Sequence, residues 1–265
     1  MTDAARSISV AIVAKDEADR IAACIESVRF ADDVVVVVDT RSRDDTLAIA
    51  ESLGCRSISR SWMGYARQKQ FAVDQCRYDW VLILDADERI PVRTATAIHQ
   101  LIKTADADVS AFRLLRKNLF HGRWIRRCGW WPDRVVRLVD RKRGGFSDHL
   151  VHEHWATPDR VSASDLIIEH VSFRNYADLI DKMQAYSTLA AIQMRNEGRQ
   201  ANCLTPISHG LWMFIRTYLL ELGLLEGFDG FVIAIMNAAG SFMKYAKLLE
   251  LRRKDPDGDP RSASR

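Results

Sequence analysis

Two aspartates separated by one residue stand at the end of an apolar segment, in the sequence WVLILDADER of residues 80–89. Where a strand opens into a loop, the carboxylates of Asp85 and Asp87 can both turn toward one hard cation. Mg²⁺ or Mn²⁺ held by one or two carboxylates completes its coordination shell with water and phosphate oxygens. The spacing therefore predicts a divalent-cation site for a diphosphate, and the alternative is an acidic pair that is only solvated.

An alternation of strands and helices positions these aspartates. Apolar runs at residues 8–13, 34–38 and 80–84 predict buried strands, and a short strand is expected near residues 56–59. The run at 34–38 consists of valines, as in a parallel strand covered on both faces. Ligands of parallel sheets bind at the carboxyl ends of the strands. We therefore expect the acidic strand ends at one edge of the sheet: Asp16, Glu17, Asp39, Asp85, Asp87 and Glu88.

The middle of the chain combines β-like runs, at residues 109–114, 135–139 and 166–170, with a basic and aromatic stretch. Residues 113–143 contain eleven Lys or Arg against two acids, a local excess of nine positive charges. The same stretch holds Trp124, Trp130 and Trp131. No recognisable nucleic-acid motif accompanies it, so a nucleic-acid partner is not expected. The stretch is either a binding surface or a solvated basic face.

From Tyr176 the pattern becomes helical, and Pro206 separates a first helical part from the mostly apolar residues 207–251. The longest uncharged run, residues 230–243, is shorter than the about 20 residues that a spanning helix needs. This favours interfacial helices on a membrane, with Lys244, Lys247 and the basic residues 252–254 near anionic headgroups. The alternatives are a helical hairpin packed on the domain or a dimer interface. Residues 252–265 are charged and rich in Pro, Gly and Ser, which predicts disorder.

The length, the cysteine content and the first residues of the chain limit the number of domains and the cellular compartment. A chain of 265 residues can hold one large domain, or one domain and a satellite. Its five cysteines form no CxxC pair and are odd in number, which is typical of reduced thiols in a cytosolic protein. Residues 1–6 contain no apolar signal-peptide core, so we expect the protein on the cytoplasmic side.

Several short motifs follow one another in a fixed order along the chain. They are SVAIVAKDE (9–17), VVDTRSRDDT (37–46), QKQFA (68–72), WVLILDADER (80–89), RKN (116–118), GWWPD (129–133), VHE (151–153) and YST (186–188). This ordered set resembles the family 2 glycosyltransferases with the GT-A fold. More narrowly, it is similar to the branch that contains the lipopolysaccharide-core β-1,4-glucosyltransferases, over roughly residues 7–250.

The resemblance implies an α/β GT-A fold with a mostly parallel central sheet flanked by helices and a C-terminal helical, membrane-associating extension. The expected catalytic domain is residues 1–175, with a nucleotide-sugar-binding half (1–90) and an acceptor half (91–175). A helical region (176–251) and a disordered tail (252–265) follow. The implied activity is inverting transfer of a hexose, with glucose expected, from a UDP-sugar to a lipopolysaccharide-core or related glycolipid. The acceptor would lie at the cytoplasmic face of the bacterial inner membrane, and a homodimer is possible.

The resemblance also assigns roles to residues. Nucleotide-sugar binding would fall to Ala14, Lys15, Asp16, Glu17, Asp39, Lys69, Asp85, Ala86 and Asp87. The metal, Mg²⁺ or Mn²⁺, would be held by Asp87 first, then Asp85, with His152 as a metal or phosphate contact. Asp133 is the first candidate for the base that deprotonates the acceptor hydroxyl, and Glu153 is the second. For Asp133 the alternative is a salt bridge with Arg134 or Arg137. The basic stretch would meet a phosphorylated core, with tryptophans stacking on sugar rings.

The sequence departs from the family pattern at three positions. Arg41 and Asp45 replace glycines, and Asp16 replaces an asparagine. If those glycines adopt positive φ values, the turn here is strained or reshaped. Two further interpretations stay open: a glycosyltransferase that acts on a polyprenyl phosphate or another cell-envelope acceptor, and a membrane-surface scaffold with a degenerate GT-A domain.

Overall fold

Four parallel strands form the first half of the central sheet. A computed structural model describes residues 7–147 and 154–254. Its parallel strands are β1 (Ile8–Ala14), β2 (Asp33–Asp39), β3 (Arg56–Arg60) and β4 (Trp80–Asp85). β1 lies between β2 and β4, and β3 pairs with the outer side of β2. The connecting helices are α1 (Ile21–Ser27), α2 (Thr46–Ser52) and α3 (Tyr65–Asp74). The four strands predicted for this part of the chain, and their alternation with helices, are confirmed.

Alternate side chains of these strands enter two apolar clusters. Ile8, Val10 and Ile12 belong to one cluster, whereas Ala11 of the same strand belongs to the other. Val36 and Val35 of β2 are divided in the same way. Because successive side chains of a strand point to opposite faces, a sheet buried on both faces requires a continuous apolar run. The valines of β2 meet that requirement.

The second half of the sheet continues from β4 with antiparallel pairs. Its strands are β5 (Glu88–Arg89), β6 (Val109–Phe120), β8 (Arg134–Asp140) and β11 (Arg160–Phe173), in the spatial order β4-β8-β6-β11-β5. β8 is antiparallel to both β4 and β6, and β5 is antiparallel to β11. Helix α4 (Val92–Lys103) joins β5 to β6. The three predicted runs are all strands and are longer than expected. The predicted α/β class, with helices flanking the sheet, is confirmed.

The chain divides into two compact units. Among the described residues, unit 1 contains 7–117, 132–147 and 154–172, and unit 2 contains 118–131 and 173–254. Unit 1 also carries the two-stranded sheet of β9 (Gly145–Phe146) and β10 (Trp155–Ala156). The division into a catalytic domain of residues 1–175 and a helical region of 176–251 stays a prediction.

Three helices build most of unit 2: α5 (Tyr176–Asn196), α6 (Leu204–Ile215) and α7 (Gly227–Lys254). A π-helical turn (Arg216–Leu220) and a 3₁₀ turn (Gly223–Glu226) join α6 to α7, and the short strand β7 (Arg123–Trp124) pairs with the end of β6. Both α5 and α6 pack on α7. The predicted boundary at Pro206 is wrong: Pro206 lies in the first turn of α6, where a missing N–H costs no helical hydrogen bond. Residues 252–254 complete α7, and the rest of the expected tail lies outside the described residues.

Candidate active site

The parallel register aligns the ends of three strands at one edge of the sheet. Ala14 of β1 is opposite Val38 of β2, and Val13 is opposite Asp85 of β4. The residues that follow these positions therefore begin their loops at the same edge. This edge carries the acidic strand ends that the sequence pattern brought together.

Hydrogen bonds fasten the loop that follows β1 to the loop that follows β2. The backbone N–H of Asp16 donates to Ser42 Oγ (2.8 Å), and the Asp16 carboxylate accepts from the N–H of Arg43 (2.8 Å). Two further backbone N–H groups of the first loop donate to side chains of the second: Glu17 to Thr46 and Ala18 to Asp44, each at 2.9 Å. Asp16 has a φ of 53°, in the left-handed region that Asp and Asn tolerate best after glycine. Aspartate therefore preserves the turn where the family has asparagine.

The glycine replacements reshape the second loop without strain. Neither Arg41 nor Asp45 is among the described residues with positive φ, and Asp45 has a φ of −80°. Arg41 instead folds back onto the buried carboxylate of Asp39: its N–H donates at 3.0 Å and its guanidinium at 2.7 Å. These hydrogen bonds lower the pKa of Asp39. In this structure both oxygens of Asp39 are engaged by Arg41.

From the resemblance, which assigns Asp39 to the nucleotide, we expect Arg41→Ala to bind UDP up to about five-fold more tightly. The wild type must first break an ion pair whose arginine is 59% exposed, and such pairs contribute about 0.2–1 kcal/mol. Titration calorimetry with UDP measures the change. Arg43→Ala, in the same loop, is the matched control. Weaker UDP binding by Arg41→Ala would show that Arg41 is itself a nucleotide contact.

Asp85 is held between two buried cations. Lys69 Nζ of α3 lies 2.9 Å from Asp85 Oδ1, and Arg137 of β8 donates to Oδ2 at 2.6 Å. Burial opposes ionisation, but the two cations outweigh it and hold the pKa of Asp85 well below its usual range. The side chain of Lys69 is only 6% exposed. Asp85 is therefore a charged, oriented carboxylate at neutral pH.

Glu88 extends this ion-pair network beneath the strand end. Its side chain is fully buried, accepts a hydrogen bond from Arg137 at 2.7 Å and accepts another from the N–H of Asp85 at 3.0 Å. Burial would lower the pKa of Arg137, but Glu88 and Asp85 raise it above its ordinary value. Cys24 lies on the same network, and burial followed by the charge of Glu88 raises the pKa of its thiol. The network fixes the backbone and side chain of Asp85 together.

Asp87 faces a histidine that sequence reasoning missed. His170 Nε2 lies 3.3 Å from Asp87 Oδ2, and the N–H of Val171 donates to the Asp87 carbonyl at 2.9 Å. His170 Nδ1 is 3.0 Å from Ser172 Oγ, a partner that can fix the ring orientation. Arg20 Nη1 lies 3.9 Å from the same Asp87 oxygen, Oδ2. No cluster of three or more His, Cys, Asp or Glu suited to a metal is found within residues 7–147 and 154–254.

Of the two candidates for the base, Asp133 lies among the described residues and Glu153 does not. Asp133 has a side chain 26% exposed, and its carboxylate accepts from Arg116 Nε at 2.8 Å. The partner is thus Arg116, not the Arg134 or Arg137 named as the alternative from sequence. Glu153 and the predicted metal contact His152 lie outside the described residues.

Most cations of the basic stretch are neutralised in the part of the chain that the structure describes. Arg134 pairs with Asp165, Lys117 with Glu169 and Arg143 with Asp159, at 2.7 to 3.0 Å. The other paired cations are Arg116, Arg123, Arg137 and Lys142. The large local charge seen in the sequence is therefore largely balanced by acids from distant segments.

Similarity to known proteins places this chain in an established family. It matches the family model for glycosyl transferase family 2 over residues 9–162. An uncharacterized glycosyltransferase of Rickettsia typhi is 30% identical, with 94% of this chain and 89% of the relative covered. The lipopolysaccharide core biosynthesis glycosyltransferase LpsC of Rhizobium meliloti is 29% identical, with 92% of each chain covered. The chain belongs to glycosyltransferase family 2.

Solved structures agree with the fold. A mannosyltransferase from Pyrobaculum calidifontis, solved with GDP-Man and Mn²⁺, has a TM-score of 0.52 at 19% identity, covering 91% of this chain and 86% of that one. Glucosyl-3-phosphoglycerate synthase from Mycobacterium tuberculosis, solved with Mn²⁺, UDP and glucosyl-3-phosphoglycerate, has a TM-score of 0.51 at 16% identity, with 76% and 83% covered. At these identities the likeness establishes the GT-A fold alone.

Proposed function

We propose that this glycosyltransferase transfers a hexose, with glucose expected, from a UDP-sugar to a lipopolysaccharide-core or related glycolipid, with inversion at the anomeric carbon and a divalent metal. The observation that carries the proposal is the carboxyl edge of the sheet, where Asp85 and Asp87 stand beside the fastened loops of β1 and β2. Full-length similarity to a lipopolysaccharide core glycosyltransferase supports the acceptor class, and a GT-A neighbour bound to UDP and Mn²⁺ supports the donor.

Asp87 and His170 are suited to hold the metal. Mn²⁺ accepts carboxylate oxygen and imidazole nitrogen, and a site with few protein ligands leaves positions for phosphate oxygens. The two side chains already face each other at 3.3 Å. When bound, the cation would neutralise charge on the departing diphosphate. Asp85 contributes a carboxylate oriented by Lys69 and Arg137. His170 extends the predicted metal set of Asp87, Asp85 and His152, which stays a prediction.

Nucleotide-sugar binding is assigned to the same edge. The proposed contacts are Ala14, Lys15, Asp16, Glu17, Asp39, Lys69, Asp85, Ala86 and Asp87. Within this set, Ala14 and Ala86 are buried, so that they can contribute only backbone groups. Lys69 is already engaged by Asp85, which makes its role the positioning of that carboxylate.

Titration calorimetry with UDP, with and without Mn²⁺, tests the donor site, and a panel of UDP-sugars with truncated lipopolysaccharide tests the reaction. Metal-dependent UDP binding followed by hexose transfer supports the proposal. Absence of UDP binding under both conditions contradicts the donor assignment and favours the scaffold interpretation. Transfer to a polyprenyl phosphate but not to lipopolysaccharide would contradict the proposed acceptor and identify the alternative one.

We expect Asp133→Asn to lower kcat by about 10²- to 10⁴-fold, because a general base of this kind contributes that much to a proton-transfer step. The base would remove the acceptor hydroxyl proton as the oxygen attacks the anomeric carbon. UDP affinity should stay within two-fold of wild type by calorimetry, since Asp133 is assigned no donor contact. Glu153→Gln is the competing variant: if it alone loses kcat, Glu153 is the base and Asp133 a partner of Arg116.

The tip between α6 and α7 is the surface proposed to meet the membrane. One helical stretch, Gly223–Arg253, is long and apolar enough to cross a membrane, and 22% of its most apolar window is buried. The three acids that interrupt the apolar sequence turn inward: Glu221 pairs with Arg216, while Glu226 and Asp229 contact Arg123. The outer side carries exposed apolar residues: Leu219, Leu220, Leu222, Leu224, Leu225 and Phe228. Peripheral attachment at the cytoplasmic face stays the proposal.

We expect the triple variant Leu220→Ser, Leu225→Ser, Phe228→Ser to lose most of its binding to anionic vesicles. These three side chains are 61 to 71% exposed, and removing apolar area from a lipid-facing surface weakens partitioning by about 25 cal/mol per Å². Co-sedimentation measures the bound fraction. A control replaces three exposed apolar residues of α5, Ile180, Leu189 and Ile192, by serine. Equal losses in both variants would contradict a specific role of the tip.

A further inference from the structure

Unit 2 contains a cavity of about 570 Å³ lined by all three of its helices. The volume falls in the range of about 300–1,000 Å³ typical of small-molecule sites. Met183 of α5, Met213 of α6 and Met236 of α7 supply part of its apolar wall, and Trp130 and Phe173 supply aromatic surface. Methionines line adaptable apolar sites because their side chains are flexible and polarizable. The wall is suited to a hydrocarbon chain.

Three cations also line this cavity: Lys182, Arg216 and Lys244. Arg216 is paired with Glu221 at 2.8 Å. Lys182 lies 4.8 Å from the centre of the Phe173 ring. Lys244 is half-buried, and its ammonium group lies 5.2 Å from the centre of the Tyr245 ring, with no acidic partner among residues 7–147 and 154–254. Burial, together with Arg199, lowers its pKa. A poorly solvated ammonium group beside an apolar wall is complementary to an anion attached to a hydrocarbon.

The cavity wall is continuous with the proposed membrane-facing tip. Arg216 and Thr217 line the cavity from the π-helical turn, and the last two residues of that turn, Leu219 and Leu220, are 50% and 63% exposed. Ala190 and Gly240, both small, border the space, and a Cβ atom on Gly240 would lie 3.2 Å from Met183 Cγ. Small residues at these positions keep the volume open. One short segment therefore presents apolar side chains outward and polar ones to the cavity.

We propose that this cavity binds a phosphate-bearing membrane lipid, with a hydrocarbon chain against the methionines and Trp130 and the phosphate at Lys182 and Lys244. The inference deepens the proposed function, on which it rests, because it assigns a separate subsite to the lipid part of a glycolipid acceptor. The lipid class is one with a single accessible chain and an anionic phosphate. Acyl and isoprenoid chains share that chemistry.

Binding of decyl phosphate to the full-length protein, below its micelle concentration and without nucleotide, tests the proposal. We expect saturable binding by titration calorimetry, with decyl maltoside and inorganic phosphate each at least about ten-fold weaker, because each lacks one half of the recognised ligand. Farnesyl phosphate is the second arm: the tighter of the two chains identifies an acyl or an isoprenoid source. Failure of both chains to bind overturns the proposal, while metal-dependent UDP binding would be unaffected.

Two variants locate the bound lipid. Lys182→Gln combined with Lys244→Gln should weaken decyl phosphate at least ten-fold, whereas Arg253→Gln, an exposed cation of α7 outside the cavity, should not. Ala190→Phe should fill the space and abolish binding, whereas its neighbour Leu189→Phe, which does not line the cavity, should bind normally. Thermal unfolding checks that each variant folds. Equal decyl phosphate affinity in wild type, the double variant and Ala190→Phe contradicts the assignment.

Discussion

Asp87→Asn is expected to lower the rate of hexose transfer by about 10²- to 10³-fold, the loss seen when one preorganised electrostatic contact to a developing charge is removed. Asparagine keeps the shape of the side chain but removes the negative charge that would face the metal and His170. Its effect on the fold should be small, since the Asp87 carbonyl still accepts from Val171. Steady-state kinetics across a Mn²⁺ titration separates a raised metal requirement from a lowered kcat.

Two companion variants make the result specific. His170→Ala should raise the Mn²⁺ concentration needed for half-maximal rate, because it removes the second proposed ligand. Asp79→Asn, which changes an exposed aspartate paired with Lys142, should leave both the rate and the metal requirement unchanged. Full activity of Asp87→Asn at ordinary Mn²⁺ concentrations would be incompatible with a metal site at Asp87.

Arg137→Met is expected to destabilise the protein by about 3 kcal/mol, the lower end of the cost of breaking a buried ion pair, because Arg116 remains 3.7 Å from Glu88 and Lys69 remains beside Asp85. Arg137 is 7% exposed and Glu88 fully buried, so water cannot replace the lost ion pair. Urea unfolding at neutral pH measures the free energy. The double variant Arg137→Met, Glu88→Leu should recover part of the loss, because it removes both buried charges, although the Asp85 N–H then loses its acceptor.

The dependence of the free energy of unfolding on pH, in the acidic range, gives an independent test of the role of Arg137. The pKa of Asp85 is lowered in the folded protein, so its contribution to stability is present above the unfolded pKa of about 3.9 and is lost as the pH falls through the folded pKa. Without Arg137, the folded pKa should move back toward the ordinary value. Arg137→Met should therefore show a shallower stability loss between about pH 4 and pH 2. An unchanged slope would indicate that Lys69 alone sets the pKa.

The sheet and the position of its acidic edge followed directly from the sequence. Apolar runs ending in Asp39 and Asp85 predict parallel strands, and parallel strands align their carboxyl ends whatever their spatial order. The prediction needed no knowledge of register, which is why it holds for the pairing of β1 with β2 and β4.

The partners of those acids depend on register and were missed. His170 meets Asp87 only because the end of β11 pairs with the two-residue strand β5, where Glu88 is opposite His170. Arg137 reaches Glu88 because β8 lies antiparallel beside β4. The local sequence around His170 does not mark it as a partner of Asp87. For Arg137 the available signal is a charged residue inside an otherwise apolar strand, RVVRLVD. Likewise, the three acids at the tip of unit 2 interrupt an apolar segment of the sequence, but their side chains turn inward to form ion pairs. A hydropathy pattern cannot show the direction of a side chain.

The hydrogen bonds that fasten the first loop to the second have a consequence for the energetics of nucleotide capture. The backbone N–H groups of Asp16, Glu17 and Ala18 already form hydrogen bonds. This loop therefore becomes ordered when the protein folds, and not when a ligand binds. Nucleotide binding should then carry little conformational-entropy penalty. These three amides should exchange slowly with deuterium before any nucleotide is added, and the rate of association should not be limited by a loop rearrangement.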